Sequence, residues 1–229
     1  WIINAAHADH MMVYAQTAPG SGVKGMAAFW VDAHAPGFER LPVDTSPALA
    51  SMGLGGFRMT QVACEPEAMV CPPGTAFADI MGGINRARTY VAAMCCGMVA
   101  QALATASAYG QERQAFGKPL AQHQGWRWQL AQAATALKAG ELLVADACAR
   151  IDQGADVQAE AAQAKLYATE AAHEVASMAL QVHGGLGYAT DYPIERIFRD
   201  TRGGTIPEGT TEVQTLIVGR EILGMSAIV

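Results

Sequence analysis

The chain has 229 residues, 51% of them hydrophobic, and a net charge of −6, so it holds enough apolar material for a full core in one domain or two. An acidic balance without any Lys/Arg cluster argues against nucleic acid as a main partner. No apolar run approaches the ~20 residues that a membrane-spanning helix needs, and the start lacks the order of a signal peptide. The five cysteines (Cys64, Cys71, Cys95, Cys96 and Cys148) show no CxxC spacing and read as reduced core thiols of a cytoplasmic protein, with no metal site.

The chain opens on Trp1-Ile2-Ile3-Asn4, without methionine and already strand-like, as if from the interior of something longer. Residues 1–75 alternate short β-type runs with turn residues. Met11–Ala15 and Met26–Val31 read as strands flanking the Gly20-Ser21-Gly22 turn, and Pro36-Gly37, Gly53 and Gly55-Gly56 punctuate the stretch beyond them. Cys71-Pro72-Pro73-Gly74 closes this part, which places a domain boundary between residues 75 and 76.

Past that boundary the period becomes helical. Ile84, Arg88, Val91, Cys95, Met98, Ala102 and Ala106 stripe one long helix, and Pro119 is expected to open a second carrying Trp126, Leu130, Ala134, Leu137, Val144 and Cys148. Asp156 is expected to cap a third that runs through Val157, Ala161, Ala164, Ala168 and Val175 to a stop at Gly184-Gly185. Two short helices come next, around Pro193–Arg199 and from Thr211. Alanine-rich helices of this length pack closely as a bundle. The expected fold class is α+β: a truncated antiparallel β-domain over 1–75, then an all-α four-helix bundle over 76–229.

Three stretches hold residue types suited to chemistry. Ile206-Pro207-Glu208-Gly209-Thr210 sets a lone carboxylate on a Pro/Gly turn ahead of the last helix. A helix N-terminus favours the ionised carboxylate and an apolar substrate closing over it favours the protonated one, a pairing that suits a general base. On spacing alone, the favoured reading of Glu208 is a first-turn acid beside a Thr211/Gln214 capping box, and only the other stretches argue against it. In Arg113-Gln114-Ala115-Phe116-Gly117-Lys118 an arginine fork suits a diphosphate and a phenylalanine suits a heterocycle, although a solvated arginine beside a buried phenylalanine has the same pattern. Gln181-Val182-His183-Gly184-Gly185-Leu186-Gly187-Tyr188 ends the third helix with more glycine than capping requires. The dipole there has the wrong sign for a phosphate, so an anion needs loop amides or Arg113. His183 reads as a structural hydrogen-bonding histidine. Trp1, on a strand, suits either a core or the cover of a flat cofactor.

In this order and spacing the pieces resemble the acyl-CoA dehydrogenase family of flavoproteins. The resemblance rests on Trp1-Ile2-Ile3-Asn4 with Ala8-Asp9, Gly25–Val31 with Pro36-Gly37-Phe38, Arg113-x-x-Phe116-Gly117-Lys118 with His123-Gln124, Gln181-x-x-Gly184-Gly185-x-Gly187-Tyr188, Arg199-Asp200, and Ile206-x-Glu208-Gly209-Thr210. It implies FAD as cofactor, acyl-CoA as substrate in fatty acid metabolism, and an acceptor such as electron-transfer flavoprotein. It also implies a homo-oligomer, dimer or tetramer, built through the bundle, of which this chain covers the second half of the β-domain and the bundle. Carried over residue by residue, Glu208 resembles the catalytic base. Trp1 and Ile3 resemble residues against the isoalloxazine. Arg113, Phe116, Gln124, Gln181, Gly184 and Gly185 match positions at the diphosphate and adenosine end, largely of a neighbouring subunit's FAD, while Thr210 and Glu212 match positions near the adenosine. Arg88 and Gly209 match substrate positions, Arg88 near the pantetheine. Ile3 departs from the family's usual Thr or Ser, leaving only its backbone amide for the flavin. Pro207 departs from the usual Tyr and reshapes the acyl pocket. Some relatives carry the glutamate on the first long helix, where this chain has Ala87, so Glu208 is the candidate. A carrier-protein thioester, oxygen as acceptor, or a non-catalytic oligomerising subunit are the alternative readings.

Overall fold

The computed structural model describes residues 1–42 and 48–225. The chain forms two compact units, Trp1–Ile84 and Asn85–Val229. The boundary read from sequence falls where the first long helix begins, nine residues ahead of this division.

In the N-terminal unit, β1 (His10–Gln16) pairs antiparallel with β2 (Met26–Asp32), from His10↔Asp32 to Gln16↔Met26. β3 (Phe38–Pro42) and β4 (Gly55–Met59) form a separate antiparallel ladder. The short β5 (Met69–Cys71) adds to β2 with a register shift between Ala28 and Phe29. Alternation puts Met11, Val13 and Val31 inward with Ala5 and Ala33, covered by Phe29 and the stacked pair Phe38–Phe57 at 5.3 Å. The opening residues are not a strand, contrary to the sequence reading. Among the described residues only Ile2 bridges, to Gly55, and Asn4 turns the chain at a φ of 65°.

In the C-terminal unit the long helices are α1 (Ala76–Glu112, which starts in the preceding unit), α2 (Gln124–Asp152) and α3 (Gln158–His183). The short α4 (Pro193–Gly204) and α5 (Thr211–Leu223) both pack against α3. The shared core is largely alanine, with Val91, Cys95 and Val99 of α1, Ala133 of α2, Ala164, Ala168 and Val175 of α3, and Ile194 and Ile197 of α4. Small residues let the helices come close. A Cβ on Gly204 would lie 2.7 Å from the Cys95 sulfur, and one on Gly110 2.5 Å from the Trp126 ring.

Several local expectations are corrected. Pro119 does not open α2. It pairs with Gln114 in a hairpin of β6 (Gln114–Ala115) and β7 (Lys118–Pro119), and α2 starts at Gln124 behind a 3-10 turn. Phe116 and Gly117, at φ 53° and 78°, form the two-residue turn whose twist suits a tight hairpin. Val157 rather than Asp156 directly flanks α3, but Asp156 still serves its first turn. The Asp156 carboxylate accepts the Gln158 N–H at 3.2 Å from one residue back. Cys64 and Cys148 are exposed and Cys71 half-buried, so only Cys95 and Cys96 are core thiols. Ala134 also faces solvent, and Ala133 takes its place in the core. Finally, α1 does contain a window long and apolar enough to cross a membrane, with a hydropathy of 1.6. Length and composition alone carry little weight, because central bundle helices share them. Here Asn85, Arg88 and Thr89 on α1 are buried among polar partners.

Candidate functional site

The last turn before α5 is built around a strained backbone. Glu208 sits at φ 57° and Gly209 at 92°, so two consecutive residues occupy left-handed conformations, which for glutamate costs about 1–2 kcal/mol. The carbonyls of such a turn have no helical partner, and buried side chains supply one. Arg88 Nε donates to the Glu208 carbonyl at 3.0 Å and its Nη1 to Asn85 Oδ1 at 2.8 Å. Gln214 Nε2 donates to the Glu208 carbonyl at 3.0 Å and the Gly209 carbonyl at 2.8 Å. Lys165 Nζ donates to the Gly209 carbonyl at 2.8 Å and the Thr205 carbonyl at 3.1 Å.

The capping box is therefore absent. Gln214 reaches back to the turn carbonyls, Thr211 Oγ1 donates to Glu170, and Thr210 flanks α5 without capping it through its side chain. The half-buried Glu208 carboxylate makes no hydrogen bond or ion pair among the described residues, so the turn holds its backbone and leaves its acid group available. Burial pulls the Arg88 and Lys165 pKa values down, opposed by nearby negative charge that includes Glu208. Burial pushes the neighbouring Cys95 thiol up to about 12, which keeps it neutral. Glu212, exposed on the first turn of α5, is held below the usual carboxylate range chiefly by the Thr210 side chain and by its own backbone N–H.

A second constellation surrounds the C-terminus of α3. Arg113, Gln181, Gly184 and Gly185 line one cavity of about 470 Å³ together with Tyr109, Leu120, Val182, His183 and Leu186. Gly184 adopts a φ of 62°, and a Cβ on Gly184 or Gly185 would meet nothing within 4 Å, so both present open backbone. The exposed Arg113 guanidinium has no partner among the described residues. His183 is buried, with Nδ1 2.6 Å from the Ala179 carbonyl and its ring stacked on Tyr109 at 4.5 Å, while Nε2 lacks a partner among the described residues. Phe116 and Gln124 lie on the adjoining hairpin and α2 start, outside the cavity lining. The Phe116 ring is 95% exposed, which removes the reading of a buried phenylalanine.

In the N-terminal unit Trp1 is 90% exposed, and the Ile3 N–H has no hydrogen-bond partner among the described residues. Sequence reasoning did not single out Lys165, the fully buried cation beneath the turn. Its signal was present: it stands four residues from Ala161 and Thr169 and seven from Ala172, on the face that those residues bury.

Residues 75–223 match the family model described as acyl-CoA dehydrogenase, C-terminal domain. The chain belongs to the acyl-CoA dehydrogenase family. Among relatives, it is 36% identical to an acyl-CoA dehydrogenase of Bacillus subtilis (strain 168), a match covering 98% of this chain and 59% of that protein. It is 35% identical to the acryloyl-CoA reductase (NADH) of Anaerotignum propionicum over 97% of this chain and 57% of the other. The butyryl-CoA dehydrogenase structure from Megasphaera elsdenii superposes with a TM-score of 0.94 at 32% identity, covering 97% of this chain and 58% of that one. The chain thus spans somewhat under three fifths of the length of these acyl-CoA dehydrogenase relatives.

Proposed function

We propose that the protein to which this chain belongs carries out FAD-dependent α,β-dehydrogenation of an acyl-CoA thioester, with Glu208 as the base that takes the proton from Cα. The observation that supports this most is the unpartnered carboxylate on a backbone held by three buried donors, since a base must be placed and must be free to accept.

The residues around the α3 cavity fit FAD. Open glycine backbone, an unpaired arginine fork and a bare phenylalanine ring are what a diphosphate and an adenine require. Arg113, Gln181, Gly184 and Gly185 would hold the diphosphate end. Phe116 and Gln124 would lie beside the adenosine end, with Thr210 and Glu212 near it. Trp1 and the Ile3 amide would meet the isoalloxazine, whose contribution is to accept the β-hydride. Gly209 and Arg88 would lie on the substrate side. Arg88 already engages the Glu208 carbonyl, so its part would be to support the turn from behind the thioester. A homo-oligomer formed through the bundle and an acceptor such as electron-transfer flavoprotein complete the proposal, with the cytoplasm as its compartment.

The same arrangement works in reverse, with Glu208 returning a proton to Cα of an unsaturated thioester. This second reading is favoured by relatives named as reductases, acryloyl-CoA reductase (NADH) at 35% identity and caffeyl-CoA reductase-Etf complex subunit CarC at 33%. The test is Glu208→Gln in the full-length protein. FAD content is expected to stay native and turnover of acyl-CoA to fall by a factor of about 10²–10⁴ in either direction. Native turnover in that variant would refute the assignment.

A further inference from the structure

Lys165 is an unusual residue for its place. It is 0% exposed, the largest fully buried side chain among those described, and sits in an alanine face of α3. Burying an ammonium is costly unless it is paired, and its hydrogen-bond partners here are the Thr205 and Gly209 carbonyls, with no carboxylate among them. Those carbonyls bracket Glu208, one near the end of α4 and the other directly after the glutamate. Gln214, also 0% exposed, binds the Glu208 and Gly209 carbonyls with its amide nitrogen and leaves its buried Oε1 without a partner among the described residues. Turning the amide over would set Oε1 against two carbonyls, so the network fixes its orientation.

A structural role alone does not account for this expenditure of buried polar groups. A helix start can be capped by its own Thr210, and a turn can be closed with ordinary backbone, without a cation beneath it. What the three donors jointly specify is the left-handed backbone of Glu208, which the residue would not adopt unaided.

We infer that Lys165, together with Gln214, is a positioning residue for the reaction: by holding the Thr205 and Gly209 carbonyls on either side of Glu208, it sets the carboxylate at the α-carbon of the thioester. This rests on Glu208 being the base. Misplacing a reacting group by about 1 Å costs on the order of a hundredfold in rate.

The experiment compares Lys165→Met, Lys165→Gln and Glu208→Gln in the full-length, FAD-loaded protein. It reads kcat, KM, FAD content, melting temperature and the kinetic isotope effect with α,α-dideuterated acyl-CoA. Lys165→Met removes both donor bonds. It is expected to keep FAD and KM, to lose roughly a hundredfold in kcat, and to show a larger isotope effect as proton removal becomes more limiting. Lys165→Gln, which keeps a donor, is expected to regain a substantial part of kcat. A fold defect alone would lower the active fraction and leave the isotope effect unchanged, and that result in either Lys165 variant overturns the inference. So does native kcat in folded Lys165→Met. Should Lys165→Met fail to fold, Lys165→Gln decides alone: with its donor on a shorter side chain it is expected to stay roughly several-fold below native kcat with a raised isotope effect, and native values of both would overturn the inference. Loss of turnover in Glu208→Gln beside native behaviour in the Lys165 variants removes only the positioning role. Native turnover in Glu208→Gln removes the base itself.

Discussion

The Glu208 turn and the α3 cavity lie in the same unit but are built in opposite ways. Around Glu208 the backbone is satisfied: three buried side chains hold the carbonyls of a strained turn, leaving the carboxylate open and, among the described buried atoms there, Gln214 Oε1 without a partner. Around Gly184 little is satisfied. The Arg113 guanidinium has no partner among the described residues, Phe116 is almost fully exposed, and His183 Nε2 is buried without a bond. A group that performs a proton transfer gains from being fixed beforehand, because any reorganisation adds to the barrier. A surface that receives a large ligand keeps its donors free for that ligand.

This contrast can be broken from either side. The largest effect is expected at Gly209→Ala. At a φ of 92° the new side chain is strained, and its Cβ would lie 2.7 Å from Gln214 Nε2. Steady-state kinetics of the full-length variant should show kcat reduced on the order of a hundredfold, with FAD retained. Next is Arg113→Ala, which would remove the proposed charge-assisted bonds to the FAD diphosphate, about 1.5–3 kcal/mol, and should weaken FAD by about ten- to a hundredfold in a titration of the apoprotein. Turnover at saturating FAD should stay near native. If Arg113→Ala lowered kcat with unchanged FAD affinity, the two sites would not be separable in this way.

A smaller effect is expected at Phe116→Gly. Loss of the ring should weaken FAD by a few-fold, since an aromatic pair contributes about 0.5–1.5 kcal/mol beyond its area. The melting temperature should hold or rise slightly, because glycine tolerates the left-handed φ of 53° found there. The smallest effect concerns the helix that feeds the turn. Glu195 is held below its ordinary 4.5 by the hydrogen bonds from Arg199, at 2.7 and 2.9 Å. A lowered carboxylate pKa stabilises the fold above about 4.5, and this contribution is lost as pH falls through the folded value. Glu195→Gln should therefore flatten the acid limb of the stability curve by about 0.5 kcal/mol, the usual size of an i,i+4 helix pair, and leave neutral kcat unchanged.

Much of this molecule was legible in local pattern. Period-2 and helical stripes located β1, β2 and the three long helices. Turn chemistry located Gly184 and Gly224, the latter closing α5 at a φ of 65°. The errors arose where two local rules compete and packing decides between them. Pro119 satisfies a helix start and a hairpin strand equally well, and pairing with Gln114 selects the strand. Asp156 does take the Gln158 N–H with its carboxylate, but the helix starts one residue later than that cap position implies. Thr211 and Gln214 have capping-box spacing, but the unpaired carbonyls of the left-handed turn claim the Gln214 amide.

Sequence by itself determined the fold class, the family and the identity of the candidate base, because these depend on residue type, period and order along the chain. Tertiary structure alone decided how that base is held. Arg88, Lys165 and Gln214 stand 120, 43 and 6 residues from Glu208, on three different helices, and no local spacing rule connects them. They meet because a strained turn buried its carbonyls, and buried carbonyls must find donors wherever the fold brings them.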